Sequence, residues 1–328
     1  MHSAPDQERS VCGFCHRPVS RELYECVDTR GSRWKWAVCD LCGAHSLVPR
    51  PSDADLAKAY DTAYYGESET KFVGWSERFI EWCRKGRAKR LSQSLKSGAR
   101  VLDLGCGNGG FLSAMAGMGS YDLHGVELKG GSATRALGRK GIHIKVGTLE
   151  QDDFEPGCLD LVTLFHVFEH LVDPGNTLEM IHRAMHRDAR LVMSFPNIDS
   201  FQARLFRGDW LHLDPPRHLF LLPGNSFRRG MESYGFDVVA KRFFSVEQNP
   251  FGLIQSMLNA MGLPRDLLYE RLKGNGHYAS HHGGGSILMQ KAFAGICLFP
   301  AIVIDAIESL MGKSATVEYT LIKRPLAR

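Results

Sequence analysis

The segment LFHVFEHL, residues 164–171, sets His166, Glu169 and His170 into an otherwise apolar run. Imidazole is the side chain best matched to taking a proton near neutral pH. A further histidine, His218, follows in DPPRHL, residues 214–219. His166 and His218 are therefore the candidate bases, and His170 is a third histidine able to face the same pocket. The adjacent Glu169 and His170 also read as a local pair that fixes a turn.

A second constellation is made of sulfur. Cys12 and Cys15 in CGFC and Cys39 and Cys42 in CDLC bracket 23 residues, a layout that resembles a zinc ribbon, in which two knuckles deliver four thiolates to one tetrahedral ion. Such a zinc is structural, because four thiolates leave no open position for water or substrate. Gly13 and Gly43 lie where the knuckles turn tightly. His16, Cys26 and His45 are alternative ligands, but the paired spacing favours the four cysteines. A redox Cys-x-x-Cys pair would not need a twin at this distance.

The third motif is ARVLDLGCGNGGFLSAM, residues 99–115: an apolar strand, a glycine-rich turn and the start of a helix. Gly105, Gly107 and Gly109 alternate after Asp103, unlike the Gly-x-Gly-x-x-Gly of dinucleotide folds. The pattern resembles motif I of the class I S-adenosylmethionine-dependent methyltransferases. The next strand, YDLHGVEL, ends in Glu127, 22 residues after Gly105, where a carboxylate can take both ribose hydroxyls. The resemblance implies a cofactor held by Asp103, Gly105, Cys106, Gly107, Gly109 and Glu127, with Thr148 and Leu149 at the adenine edge and Phe165 beside it. Relatives often carry an aspartate at that edge; the nearest acids here are Glu150, Asp152 and Asp153. FHVFEHLVDP, SFPN and DPPRHLFLL further resemble a bacterial branch that includes ubiquinone-pathway O-methyltransferases and sugar and natural-product methyltransferases. In such relatives the loop from Asn197 to His218, with Phe201, Trp210 and Arg217, forms one wall of the acceptor pocket, and some place a divalent metal near the Glu-His pair. Glu169 and His170 alone would make a poor cage.

The elements that must position these groups follow from periodicity. LDLVTLFHV and ARLVMSFPN are near-continuous apolar runs, as strands covered on both faces should be. Between them Asp173 and Pro174 form an N-cap and first turn for a helix through about His186. FDVVAKRFFS is a sixth strand and ATVEYTLIKR a closing one. Alternation of strand and helix gives an α/β fold: a doubly wound, seven-stranded, mostly parallel sheet, Rossmann-like, with a small zinc ribbon before it and a helical insert before the last strand. The expected limits are residues 1–50 for the ribbon, 51–97 for a connector and helices, 98–247 for the core, 248–314 for the insert or lid, and 315–328 for the closing strand. Phe72, Trp75, Phe79, Trp82 and Leu91 mark an amphipathic helix, with RKGRAKR read as its solvated face.

In the insert, the run from Ala292 to Ile304 is charge-free for 13 residues and contains Pro300, too short to span a bilayer. A helix apolar nearly all round still wants cover: a core, a dimer partner, an apolar substrate or a membrane interface across residues 292–311. HHGGG reads as a flexible lid. DPPRH is not the Asp-Pro-Pro-aromatic motif of amino-methylating nucleic-acid enzymes, since Arg217 stands where a ring should stack.

With 40 basic and 36 acidic residues, formal charge +4, the 328-residue chain carries no excess that points to DNA. No charged leader precedes an apolar run, so a reducing cytoplasm, with peripheral membrane contact through the apolar helix, is the expected setting. The expectation is an S-adenosylmethionine-dependent methyltransferase with a structural zinc, methylating a hydroxyl of a small-molecule, glycan or lipid-linked acceptor. The alternatives are a zinc-ribbon RNA methyltransferase and a catalytically silent cofactor-binding protein whose ribbon docks a partner.

Overall fold

The structure is a computed structural model that describes residues 10–60, 75–272, 278 and 280–324. Strands β1 (Arg21–Val27), β2 (Arg33–Val38) and β3 (His45–Val48) form an antiparallel meander. Helix α1 (Asp53–Ala59) follows, its start fixed by a capping box between Ser52 and Asp55. Helix α2 (Trp75–Ser92) leads to β4 (Arg100–Leu104), α3 (Gly110–Ala116), β5 (Asp122–Glu127), α4 (Gly131–Leu137) and β6 (His143–Val146). Then come β7 (Leu159–Phe165), α5 (Pro174–Ala184), β8 (Met185–Pro196), α6 (Phe201–Phe206), β9 (Phe220–Leu221), α7 (Gly224–Ser233) and β10 (Phe236–Arg242). The chain closes with α8 (Asn249–Ala260), α9 (Leu267–Leu272), α10 (Gly284–Leu310) and β11 (Thr316–Lys323).

Seven strands make one sheet in the order β10-β11-β8-β7-β4-β5-β6. β4 to β8 run parallel and β11 inserts antiparallel between β8 and β10. Strand order reverses between β4 and β7, which opens a crevice at their carboxyl ends. The central strands are buried through Val101, Leu102, Val162, Leu164, Leu191 and Met193, which is why their sequences are apolar without alternation. Asp173 caps α5 by accepting from the Asn176 amide, but the helix ends at Ala184, short of His186, because the chain turns extended at Met185 and pairs with Leu159.

Three further expectations change. Phe72 lies outside the described residues, and on α2 Trp82 is 67% exposed while Ala88 and Leu91 are buried. The basic run is not a solvated face throughout. Arg87 pairs with Glu247 at 2.5 Å and Arg90 with Glu318 at 2.7 Å, because acids on the closing strand and on the turn before α8 lie beneath that stripe. The glycines of HHGGG do not form a lid loop: Gly283 caps α10 and Gly284 and Gly285 open it. Finally, α10 runs 27 residues and is long and apolar enough to cross a membrane by length and composition alone, so the 13-residue limit read from charges does not hold. Pro300 sits inside it, and the helix continues through that point.

The smaller sheet takes its fourth strand from far along the chain. β9 pairs antiparallel with β3, and the Leu47 amide donates to the Leu219 carbonyl at 3.0 Å. Phe14, between the first two cysteines, packs against Phe168, Phe220 and Tyr234 at ring distances of 6.2, 5.7 and 6.3 Å. The ribbon thus shares a core with the large sheet.

Candidate active site

The turn after β4 holds Gly105, Gly107 and Gly109 at φ of 71°, 58° and 72°, left-handed backbone that glycine adopts without strain. A Cβ at Gly105 would fall 2.3 Å from Val167 Cγ2, whereas one at Gly107 would meet nothing within 4 Å. The loop is therefore pinned at one glycine and opens onto free space at the next. The Gly107 amide donates to Glu127 Oε2 at 2.7 Å, which sets the carboxylate at the end of β5 beside that space. A nucleoside diol fits such a cradle, and the residues present suit S-adenosylmethionine. Asp103 is buried and accepts from the Thr163 hydroxyl at 2.6 Å; burial pushes its carboxyl up to about 7. Cys106 turns its sulfur under β5 toward Gly125, so only its backbone belongs to the loop. Phe165 meets Phe111 edge-on at 5.1 Å and lies under the Arg87 guanidinium at 4.6 Å. Thr148 is exposed, and Leu149 packs against the core.

Arg87 is a site-flanking residue that sequence reasoning assigned to solvent. The signal was there: Arg84, Arg87 and Arg90 recur every three residues and share one side of α2.

Beyond Phe165 the chain kinks. His166 has a φ of 56°, a conformation costly for a non-glycine residue and typical of functional sites, and its amide donates to the Ser194 carbonyl at 2.8 Å. Its Nδ1 stands 3.5 Å from Glu169 Oε1, and His218 Nε2 stands 3.8 Å from the same oxygen. His218 Nδ1 donates to the His212 carbonyl at 2.8 Å. His170 stacks edge-on against His218 with ring centroids 4.6 Å apart. Its Nδ1 donates to the Arg217 carbonyl at 2.9 Å and lies 3.0 Å from the Tyr60 hydroxyl. The structure thus brings all three candidate histidines around Glu169, a residue read from the sequence chiefly as a turn former and here 1% exposed.

The electrostatics of this group are set by burial and mutual charge. Burial would raise the Glu169 carboxyl, but His166 Nδ1, 3.5 Å away, and the imidazoles of His170 and His218 beside it outweigh burial and hold the group below its ordinary value. Burial pushes His170 down to about 4 and the neighbouring His212 down to about 3. Both are neutral imidazoles near pH 7. Ligand atoms of Glu169, His170 and His218 lie within 4.8 Å of one another.

In the rest of the Asn197–His218 loop most of the named side chains are packed. Trp210 is fully buried with Trp34 and Trp36 beneath the ribbon, and Phe201 is turned to the surface. Arg217 is buried and donates to the Asp214 carboxylate and to the Ala59 carbonyl, so it clamps its own turn.

The cysteine set closes as expected. Cys12 and Cys42 sulfurs are 3.5 Å apart, as are Cys15 and Cys39, and all four lie within 4.8 Å. Tetrahedral zinc with bonds of about 2.3 Å sets sulfurs about 3.8 Å apart, so the residues fit the ion. The hydrogen bond between Cys12 and Cys42 pulls the Cys12 thiol down to about 4 and pushes Cys42 up, so the two sulfurs share one proton. Cys26 is buried under Trp34 and Trp36, and His16 bonds Arg50 at 3.0 Å; neither belongs to the set.

Comparison with known proteins agrees with this geometry. The methyltransferase-domain family matches residues 75–241, just over half of the chain. A ubiquinone biosynthesis O-methyltransferase of Burkholderia orbicola is 33% identical over 90 residues, 24% of this chain and 37% of the relative. Its counterpart in Pseudomonas aeruginosa is 32% identical over 109 residues, 31% and 46%. The chain spans less than half the length of the curated relatives it matches. Among solved structures, the cyclase SpnF superposes with a TM-score of 0.50 at 13% identity, covering 84% of this chain and 97% of that one, a likeness of fold alone. With its strand order, its alternating glycines and a family match over half its length, the chain belongs to the class I S-adenosylmethionine-dependent methyltransferases.

Proposed function

We propose that the protein moves a methyl group from S-adenosylmethionine to a hydroxyl of a small-molecule, sugar or lipid-linked acceptor, with His166 as the general base. The observation that carries this reading is the Glu169–His166 pair at the switch-point end of β7. Bound there, the cofactor supplies an electrophilic methyl on sulfonium. The glycine loop and Glu127 hold its nucleoside end, Thr148 and Leu149 border the adenine, and Asp103 and Phe165 close the inner wall. His166 keeps 27% of its side chain exposed while Nδ1 faces Glu169, so Nε2 is the nitrogen left to take the hydroxyl proton as the carbon–oxygen bond forms. The buried carboxylate orients the ring and offsets the positive charge that develops on it. His218, whose Nδ1 is bound to a carbonyl, backs Glu169 from the other side. Ubiquinone-pathway relatives, O-methyltransferases by name, favour oxygen as the methyl acceptor.

Calorimetry with S-adenosylmethionine tests the cofactor site. Glu127→Ala should weaken binding by at least roughly tenfold, the worth of a charge-assisted hydrogen-bond pair. No binding by the folded, zinc-loaded protein would remove the central claim. His166→Ala should lower kcat by about 100-fold or more with cofactor affinity unchanged.

A second reading has its own observation: ligand atoms of one carboxylate and two imidazoles, Glu169, His170 and His218, lie within 4.8 Å of one another, a mixed oxygen and nitrogen donor set that a divalent cation accepts. Activity abolished by a chelator and restored by a divalent ion, with the ribbon zinc retained, would favour it over the histidine base.

A further inference from the structure

Helix α10 is built inside out. Its buried members are Gln290, Ala301, Asp305 and Glu308, while Ile296, Phe299 and Leu310 are 77%, 75% and 91% exposed. Asp305 accepts from Asn249 Nδ2 at 2.8 Å and from the Ser314 hydroxyl at 3.0 Å, and Glu308 accepts from Gln202 Nε2 at 3.0 Å. Polar groups thus hold the helix to the body together with an apolar seam in which Phe293, Cys297 and Ala301 pack against Leu253, Ile254 and Leu258 of α8. The opposite side repeats Leu288, Ile296, Phe299, Val303, Ile307 and Leu310 at helical steps, a stripe about 33 Å long on which no charged residue falls.

The stripe is widened by α6. Gln202 ties α6 to Glu308, the Phe201 amide donates to the Lys313 carbonyl at 3.2 Å, and Phe201 and Leu205 are turned outward, the latter 72% exposed. Three residues that carry charge, Lys291, Asp305 and Glu308, lie on α10 and one, Arg204, on α6. The two acids are buried, and the two exposed groups, Lys291 and Arg204, are both cationic.

We infer that α10 and α6 form one docking face that lies in the plane of a bilayer carrying anionic headgroups. The apolar stripe enters the boundary between headgroup and acyl chain, and Lys291 and Arg204 meet lipid phosphate at its rim. Charge decides among the occupants. A twofold contact between two copies would bring these cations to a shared rim, with no exposed acid on either helix to meet them. Crossing the bilayer would strip Asp305 and Glu308 from their partners and carry them into hydrocarbon. Lying flat keeps every polar contact of the inner side.

The test is flotation of the full-length, zinc-loaded protein with vesicles of phosphatidylcholine alone or with about 30% phosphatidylglycerol. The expected result is binding to the anionic vesicles that weakens with added salt. Lys291→Ala with Arg204→Ala should reduce it about 10- to 30-fold. Ile296→Glu with Phe299→Glu should abolish it while circular dichroism and the thermal midpoint stay those of the parent, both sites being exposed. The inference is overturned if neither vesicle floats the protein, if binding ignores lipid charge and salt, or if sedimentation shows a dimer that the paired glutamates dissociate.

Discussion

Glu169 is the group on which the site converges, and burying a carboxylate costs several kcal/mol unless charges answer it. Here three imidazoles surround it, His170 and the nearby His212 are buried neutral, and the consequence is a fold sensitive to acid. His170 and His212 have folded values near 4 and 3 against an ordinary 6.5. The unfolded chain therefore binds more protons between about pH 6.5 and pH 4, and stability falls as pH falls through that window. Glu169 acts in the same direction: its folded value is lowered, so its contribution is present above its ordinary value of 4.5 and is lost as pH drops through the folded one. Denaturant unfolding at pH 5 should show a stability lower than at pH 7 by on the order of 1 to 2 kcal/mol for each buried histidine. His212→Asn should flatten this dependence, and an unchanged slope would mean that His212 is not buried neutral. Sequence alone named His166 and His218 but gave Glu169 the lesser part, because its burial depends on Leu219, whose amide donates to the Glu169 carbonyl at 2.8 Å.

At the scale of elements, the parallel strands and the glycine turn were legible because an apolar run and a fixed spacing are local properties. What stayed hidden was pairing across the chain. β9 joins a sheet whose other strands lie more than 170 residues earlier, and the acids that draw Arg87 and Arg90 inward come from Glu247 and Glu318. The direction of α10 was hidden for the same reason: its apolar stripe can be read, but the partners of Asp305 and Glu308 that turn the stripe outward are distant. The β3–β9 contact also makes the ribbon a support for the site, since Leu219 is bonded by Leu47 on one side and Glu169 on the other. Cys39→Ser should therefore lower zinc content, thermal midpoint and turnover together if the four sulfurs hold the proposed ion, with S-adenosylmethionine affinity changed least because the glycine loop follows β4. Phe14→Ala should cost about 3 to 5 kcal/mol, the range for deleting a buried ring, although Phe14 lies outside the large sheet. A loss below about 1 kcal/mol would show that the ribbon merely leans on the core.

Over the whole molecule, ribbon, sheet and insert are joined by buried polar links as well as by apolar cores. Asn249 is the clearest of these. It is fully buried, donates to Asp305 at 2.8 Å and to the Phe243 carbonyl at 3.2 Å, and accepts from the Thr316 hydroxyl at 2.7 Å, so one amide ties α8 to α10 and to the closing strand. Gly252 of α8 allows the next contact, for a Cβ there would fall 2.4 Å from His212 Nε2, and His212 in turn accepts from His218. The insert is thereby coupled to the histidines through α8. Asn249→Ala leaves Asp305 and Thr316 each short of a partner and should cost about 2 to 6 kcal/mol, since each unsatisfied buried group costs about 1 to 3. If the three parts fold as one unit, calorimetry should show a single transition moved downward both by Asn249→Ala and by Phe14→Ala, the two shifts adding because the sites share no partner. A second, separate transition moved only by Asn249→Ala would mean that the insert melts alone, and His212 would then lose its support before the sheet unfolds.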